Sequence, residues 1–332
     1  MFGEIPKILD RNFLVGYFLP AFLLVSASLW LVHGKNPLII GNDPVKLGAF
    51  AIALPLITGV LLLALNGRIF RLFEGSGRQN PFRLLSTFAH IHYEIITTSA
   101  RRTWRQGAEA KGDTLAELTK KYRDIQSKLA ERFPPKRGSL LPTALGNAIN
   151  SFEEYSREMY GFDAVEGWPR LLAVIPKDYR DLIDSSKAET DFWINLWLVS
   201  LLLAADYVFS KLCAKLIVAH DWQHAALMSK ILRGLPSLWP NGLILLLTTL
   251  VLGWISARGA MRSAIEWGVM VKSAFDVFLP ELYSKLGFTS TCSSDEVKST
   301  WYAFSQAIVY RLPNEMPSRF GVRNSKKTQP LR

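Results

Sequence analysis

Cysteine occurs only twice in these 332 residues and histidine five times, so the chain lacks the material for a disulfide framework or a dense metal site. It contains no P-loop, no G-x-G-x-x-G, no G-x-S-x-G elbow and no H-E-x-x-H. Those absences remove the common signatures of nucleotide binding, dinucleotide binding, acyl hydrolysis and zinc proteolysis. The most informative absence is of charge. Residues 12–34, 47–67 and 234–257 contain no Asp, Glu, Lys or Arg, and residues 192–210 contain only Asp206. A helix crosses a hydrocarbon core of roughly 30 Å in about 20 apolar residues. Four such runs predict a polytopic membrane protein.

Only 49% of the residues are hydrophobic, so a sizeable water-exposed part accompanies the spans. The net charge of +11 suits either nucleic acid or the inner surface of a membrane, and its distribution selects the second. With the first helix starting inside, the outer segments hold only Lys35, Lys46, Lys211, Lys215, Lys230 and Arg233, leaving 33 of the 39 basic residues inside. This follows the positive-inside rule. It predicts a multi-pass protein of a cytoplasmic (inner) membrane with both termini cytoplasmic, and no nucleic-acid partner. The first apolar run is too long for a signal-peptide core and leads into a second span, so it reads as a retained signal anchor.

Pro20 and Pro55 interrupt the first two spans. A proline removes one helical hydrogen bond, which membrane helices tolerate when a neighbour serves the freed carbonyl; a hinge or pore-lining bend is the functional alternative. Gly48, Ala49, Ala51 and Ala53 predict close helix approach. After the second span Arg68, Arg71, Arg78 and Arg83 alternate with Phe70, Phe73 and Phe82, a pattern suited to a segment skimming the headgroup layer. Residues 84–133 read as one long helix, with Leu115, Leu118, Tyr122, Ile125, Leu129 and Phe133 forming an apolar stripe. Pro134 and Pro135 end it. The polar segment KDYRDLIDSSKAETD runs straight into the third span, and residues 212–233 form an outer amphipathic connection. The fourth span continues inward past Arg258, Arg262 and Glu266, with an Arg–Glu pair at four-residue spacing. A last helix at 295–310 places Trp301, Phe304 and Ile308 on one side, and the NSKKTQPLR end reads as disordered.

The most distinctive water-side stretch is 139–170. In LPTALGN a proline, a capping threonine and a Gly-Asn step fix a loop and open a helix. Glu154, Tyr155, Tyr160, Gly161, Asp163, Trp168, Pro169, Arg170 and Leu171 follow. The pattern P-T-x-L-G-N, then Glu-Tyr, then Y-G-x-D and W-P-R-L resembles an uncharacterised family of bacterial polytopic membrane proteins. The resemblance covers about 30 residues and implies a shared cytosolic module between paired spans, without an activity. Clustered carboxylates among aromatics suit acid–base work, a cation or a basic partner segment; the alternative is internal ion pairing of Glu154, Asp163 and Arg170 in a packed core. The candidate cytosolic site is Glu154, Tyr155, Asp163, Trp168 and Arg170.

His220 and His224 stand one turn apart, a weak metal pair without a third ligand, so neither metal nor cofactor is expected. Asp206 sits inside a span, where ionisable groups face a bundle interior, water or the interface; with Pro20 and Pro55 it makes the intramembrane candidate set. The sequence therefore predicts an all-α fold in four parts. These are residues 1–67 with two spans, a cytosolic helical domain at 68–190, two more spans at 191–257, and a helical tail at 258–332 that joins the cytosolic domain. The expected function is a non-enzymatic signalling or assembly module touching membrane lipids, a cytosolic protein partner or further copies of itself. An oligomeric channel lined by the first two spans and a lipid-active enzyme using Glu154 or Asp163 are the alternatives.

Overall fold

The computed structural model describes residues 10–33, 44–77, 79–219, 242–288, 293–312 and 316–317. Among them every regular element is helical, as the apolar runs and amphipathic periodicity predict. In chain order, α1 (Arg11–Phe13) passes through a π-helical turn (Leu14–Phe18) into α2 (Leu19–His33), followed by α3 (Pro44–Glu74). A 3-10 turn (Pro81–Leu85) leads into α4 (Ser86–Glu109) and α5 (Asp113–Arg132). Then come α6 (Ala144–Glu153), α7 (Tyr155–Tyr160), α8 (Ala164–Leu171), α9 (Lys177–Ala219), α10 (Gly242–Lys285) and α11 (Ser294–Val309). The chain divides into two compact units, one of Met1–Phe73 with Asp184–Ser263 and one of Glu74–Ile183 with Ala264–Arg332.

Three helical segments, Arg11–Ser28, Ala51–Glu74 and Lys177–Ala205, are long and apolar enough to cross a membrane. Of the fourth expected run, residues 234–241 lie outside the described residues, and α10 begins at Gly242. Within the first unit the span helices leave large apolar side chains bare: Ile52 is 65% exposed, Ile57 58% and Leu61 55%. Water penalises such surface and hydrocarbon does not.

Small residues set the helix approaches here, as expected, but at other positions. Ala51 and Ala53 are exposed. Gly59 instead meets the first helix, where an added Cβ would lie 3.3 Å from the Phe13 ring. Gly253 and Gly259 on α10 leave room for Ser200 and Trp193 of α9, and a Cβ at Gly259 would fall 2.4 Å from the Trp193 ring. The headgroup-skimming reading of the aromatics after the second span fails for Phe73, which is fully buried with its ring 4.3 Å from that of Trp197.

Pro20 is buried inside the helix that follows the π turn. It has no N–H to offer the carbonyl four residues earlier, at Gly16. Asn195 of α9 supplies the missing donor, its Nδ2 lying 2.8 Å from the Gly16 carbonyl oxygen. One turn away on α9, Asp191 is 3% exposed. Its Oδ2 accepts from the Tyr17 hydroxyl at 2.7 Å and from the Lys187 ammonium at 2.7 Å. In the absence of water each such bond avoids an unsatisfied buried group. The proline and the two polar residues of the facing helix thus form one repair.

In the second unit the expected long helix of 84–133 is two helices. The break falls at Gly112, whose φ of +60° is a conformation that costs a side-chain-bearing residue. Folded back, α4 and α5 pair along the apolar stripe: Trp104 meets Tyr122 at 5.3 Å and Tyr93 meets Phe133 at 5.4 Å. The stripe therefore packs on its own unit. Pro134 follows the end of α5 as expected. A second aromatic group joins Phe162, Phe275, Phe288, Trp301 and Phe304. Trp301 and Phe304 of α11 are each 1% exposed. As expected, α9 runs without interruption from the polar segment and α10 continues past Glu266. No ion pair joins Arg262 to Glu266 among the described residues; Arg258 instead lies over the Trp254 ring at 4.1 Å.

If Asn195 serves the carbonyl that Pro20 cannot, Asn195→Ala should destabilise the protein by about 1–2 kcal/mol in reversible unfolding from mixed micelles. In a Pro20→Ala background, where residue 20 regains its N–H, the same change should cost markedly less, and equal costs in both backgrounds would contradict the repair.

Candidate functional site

The motif of residues 141–147 is a joint. Thr143 caps α6, its Oγ1 accepting from the Gly146 N–H at 2.9 Å and donating to the Glu74 carbonyl at 2.9 Å. Asn147 is 1% exposed and closes the loop. Its Nδ2 donates to the carbonyls of Leu141 (2.8 Å) and Thr143 (2.9 Å), and its Oδ1 accepts from the Leu141 N–H at 2.8 Å. Gly146 admits no larger residue, because a Cβ there would lie 2.0 Å from the Glu74 carbonyl oxygen. Proline, threonine, glycine and asparagine here hold the last residue of α3.

Further on, Gly161 ends α7 at φ +76°, the left-handed cap that glycine adopts without strain. Phe162 behind it is fully buried, 4.8 Å from Trp301. Asp163 caps α8, its Oδ1 accepting from the N–H groups of Val165 and Glu166 at 3.1 Å each. Its Oδ2 pairs with Arg157, and its own N–H donates to Ser305 Oγ at 2.9 Å. Trp168 lies 5.8 Å from Phe275. Arg170 is exposed and donates to the Glu166 carbonyl at 2.8 Å. Glu154 ends α6, with Oε2 buried and unbonded among the described residues. Tyr155 donates its hydroxyl to Asp276 at 2.9 Å.

The five sequence candidates are thus distributed among caps, core and rim. No hydrogen bond or ion pair joins any two of them among the described residues. The alternative of internal ion pairing among Glu154, Asp163 and Arg170 is corrected: Asp163 pairs with Arg157, because Asp163 is held at the N-terminus of α8 while Arg170 sits at its far end.

Of the five, Tyr155 lines a cavity. It has a volume of about 640 Å³ and lies between α4, α5 and α7. Phe133 and Ala100 form a buried floor, Trp104 and Tyr122 stand together on one side, and Tyr155, Glu158 and Met159 come from α7. Arg101 and Arg105, one turn apart on α4, are exposed at its edge. Neither has an ion-pair partner among the described residues, whereas Glu158 is held by Lys136.

Behind Tyr155 lies a polar relay that sequence reasoning missed. Asp276 Oδ1 accepts from both Tyr155 and Tyr160, at 2.9 and 2.7 Å, and the Lys272 ammonium sits 5.8 Å from the Tyr155 ring. Burial, then the Asp276 carboxylate, pushes both phenols above their usual range. Burial also pulls the Lys272 ammonium down, against the opposing charges of Glu131 and Asp276. The signal available was the four-residue spacing of Lys272 and Asp276 in the otherwise uncharged stretch 267–280. For the arginines it was their spacing astride Trp104.

Pro20 and Pro55 are buried within helices. Asp206 lies on α9, with its side chain outside the described set, and His220 and His224 lie outside the described residues. No group of three or more His, Cys, Asp or Glu among the described residues is placed to hold a metal ion.

Glu153, beside the named candidates, carries the clearest electrostatic signal. Burial, then the charges of Glu74, Asp163 and Glu154, raises its carboxyl to about 7. Because the folded value lies above the unfolded one, this group favours folding most at acid pH and loses that contribution as pH rises from 4.5 to 7. Glu153→Gln should therefore gain stability relative to the parent across that window, by on the order of 2 kcal/mol, and level off above it. Parallel pH profiles in thermal unfolding would contradict the assignment.

The chain matches no protein-family model, no curated protein and no solved structure.

Proposed function

We propose that this chain is a non-enzymatic signalling or assembly module of a bacterial cytoplasmic membrane, anchored by four helices with both ends inside. In this reading the unit of Glu74–Ile183 and Ala264–Arg332 works in the cytoplasm, and its cavity receives a small anion with a flat apolar body. The skew of Lys and Arg toward segments 68–187 and 258–332 supports the orientation. One observation carries the binding role: Arg101 and Arg105 lie uncompensated at the edge of an aromatic-walled cavity of about 640 Å³. That volume suits a small-molecule site. Guanidinium groups recognise phosphate or carboxylate and stack on rings.

The cavity is suited to holding a ligand rather than transforming it. Glu158 is engaged with Lys136, and the Tyr155 phenol is kept protonated beside Asp276. The helices α3, α9 and α10 pass unbroken through residues 73–74, 183–184 and 263–264, so occupancy acts on a domain continuous in backbone with the apolar helices.

The test is calorimetric titration of the full chain in nanodiscs with AMP, adenosine and inorganic phosphate as probes. AMP should bind more tightly than either fragment, and Arg101→Ala with Arg105→Ala should weaken it about tenfold, equivalent to about 1.4 kcal/mol. Absence of AMP binding, or unchanged affinity in the double variant, would refute the anion-binding reading.

A further inference from the structure

The helix α4 is apolar on two opposite sides, and its own unit covers only one. Ala100 and Thr103 are buried and Tyr93 packs on Phe133. On the other side Leu84, just before the helix, and Phe88, Ile91 and Ile95 within it recur at spacings of four, three and four. Such spacing aligns them along one line of the helix. They are 86%, 69%, 50% and 62% exposed, values like those of Ile52 and Ile57 on the apolar span of α3. A contiguous bare row of this kind marks an interaction surface.

We infer that this row lies in the interfacial layer of the bilayer, with lipid as its occupant. Two observations select lipid. The first is reach. The candidate span of α3 ends at Glu74, and Pro81 already begins the turn into the row. Seven residues extend no farther than about 25 Å, so α4 must start near a membrane surface wherever the span ends at one. The second is charge. Arg102 stands seven residues beyond Ile95 on the same line, and Arg137, paired with Glu94, borders the same surface beside Ile91 and Ile95. An apolar row flanked by cations is the form that binds at an anionic headgroup layer. The membrane-contacting row thus begins at Leu84 rather than at Phe70, because Phe73 is needed inside.

Site-directed fluorescence tests this surface. With Cys213 and Cys292 replaced by serine, Phe88→Cys, Ile95→Cys and Lys120→Cys are each labelled with a nitrobenzoxadiazole dye in the full chain. The chains are reconstituted into phosphatidylcholine vesicles with and without phosphatidylglycerol, at low and high protein-to-lipid ratios. Spin-labelled lipid should quench residues 88 and 95 about threefold more than exposed residue 120, and more strongly with anionic lipid. Equal quenching at all three positions would overturn the inference. So would a blue-shifted dye at 88 that lipid quenchers never reach and that shifts back on dilution in lipid, since a second copy would then be the occupant.

Discussion

Hydrocarbon offers no partner to an amide, a carbonyl or a charge, and this restriction shapes every feature of the apolar unit. It requires the backbone to be helical, and it requires any defect in a helix to be served by a neighbour. The Gly16 carbonyl left open by Pro20 is served by Asn195, and the Tyr17 hydroxyl is served by Asp191. Both acceptor and donor sit on one face of α9, one turn apart, so the polar repair also fixes how two apolar helices pair. Apolar packing alone would do this poorly, since lipid tails compete equally with leucine for leucine. Gly16 itself allows the close contact that the repair specifies, since a Cβ there would lie 3.3 Å from the Ala188 carbonyl oxygen and 3.5 Å from the Asp191 Cβ.

The cohesion of the second unit comes from aromatic burial. Phe162 is delivered to the Trp301 and Phe304 group by a left-handed glycine and followed by a capping aspartate, so three consecutive residues turn, bury and restart the chain. Inside this unit Glu74 is held by Thr143 and by the missing side chain of Gly146. The P-T-x-L-G-N motif, read in sequence as a loop that opens a helix, closes in the fold on the last residue of α3. The uncompensated groups lie elsewhere, on α4, where two arginines edge a cavity and an apolar row faces outward.

Much of this was legible in the residues. Long uncharged runs announced the spans, Pro134 and Pro135 marked the end of α5, Thr143 announced a cap, and the polar lead into α9 read correctly as continuous helix. Legibility failed where local and tertiary terms compete. Gly112 falls inside the stretch read as long helix, and only the return packing of Tyr122 on Trp104 makes a reversal worth its loss of helix. Phe73 followed a span and preceded arginines, so its burial against Trp197 could not be read from its neighbours. Asp163 and Arg170 carry opposite charges seven residues apart, but the capping geometry at α8 gives Asp163 to Arg157. The relay of Tyr155, Tyr160 and Asp276 joins residues more than a hundred positions apart, and no local pattern encodes it.

The central claim is that lipid surrounds the apolar helices while the helical unit stands in water. The most direct measurement is cysteine accessibility in native membranes, with Cys213 and Cys292 replaced by serine and single cysteines placed at Ile57 on α3 and Lys120 on α5. In inside-out vesicles a membrane-impermeant maleimide should label residue 120 rapidly and residue 57 only after detergent is added. Rapid labelling of residue 57 in intact vesicles, or a chain that remains in the soluble fraction without detergent, would contradict the account.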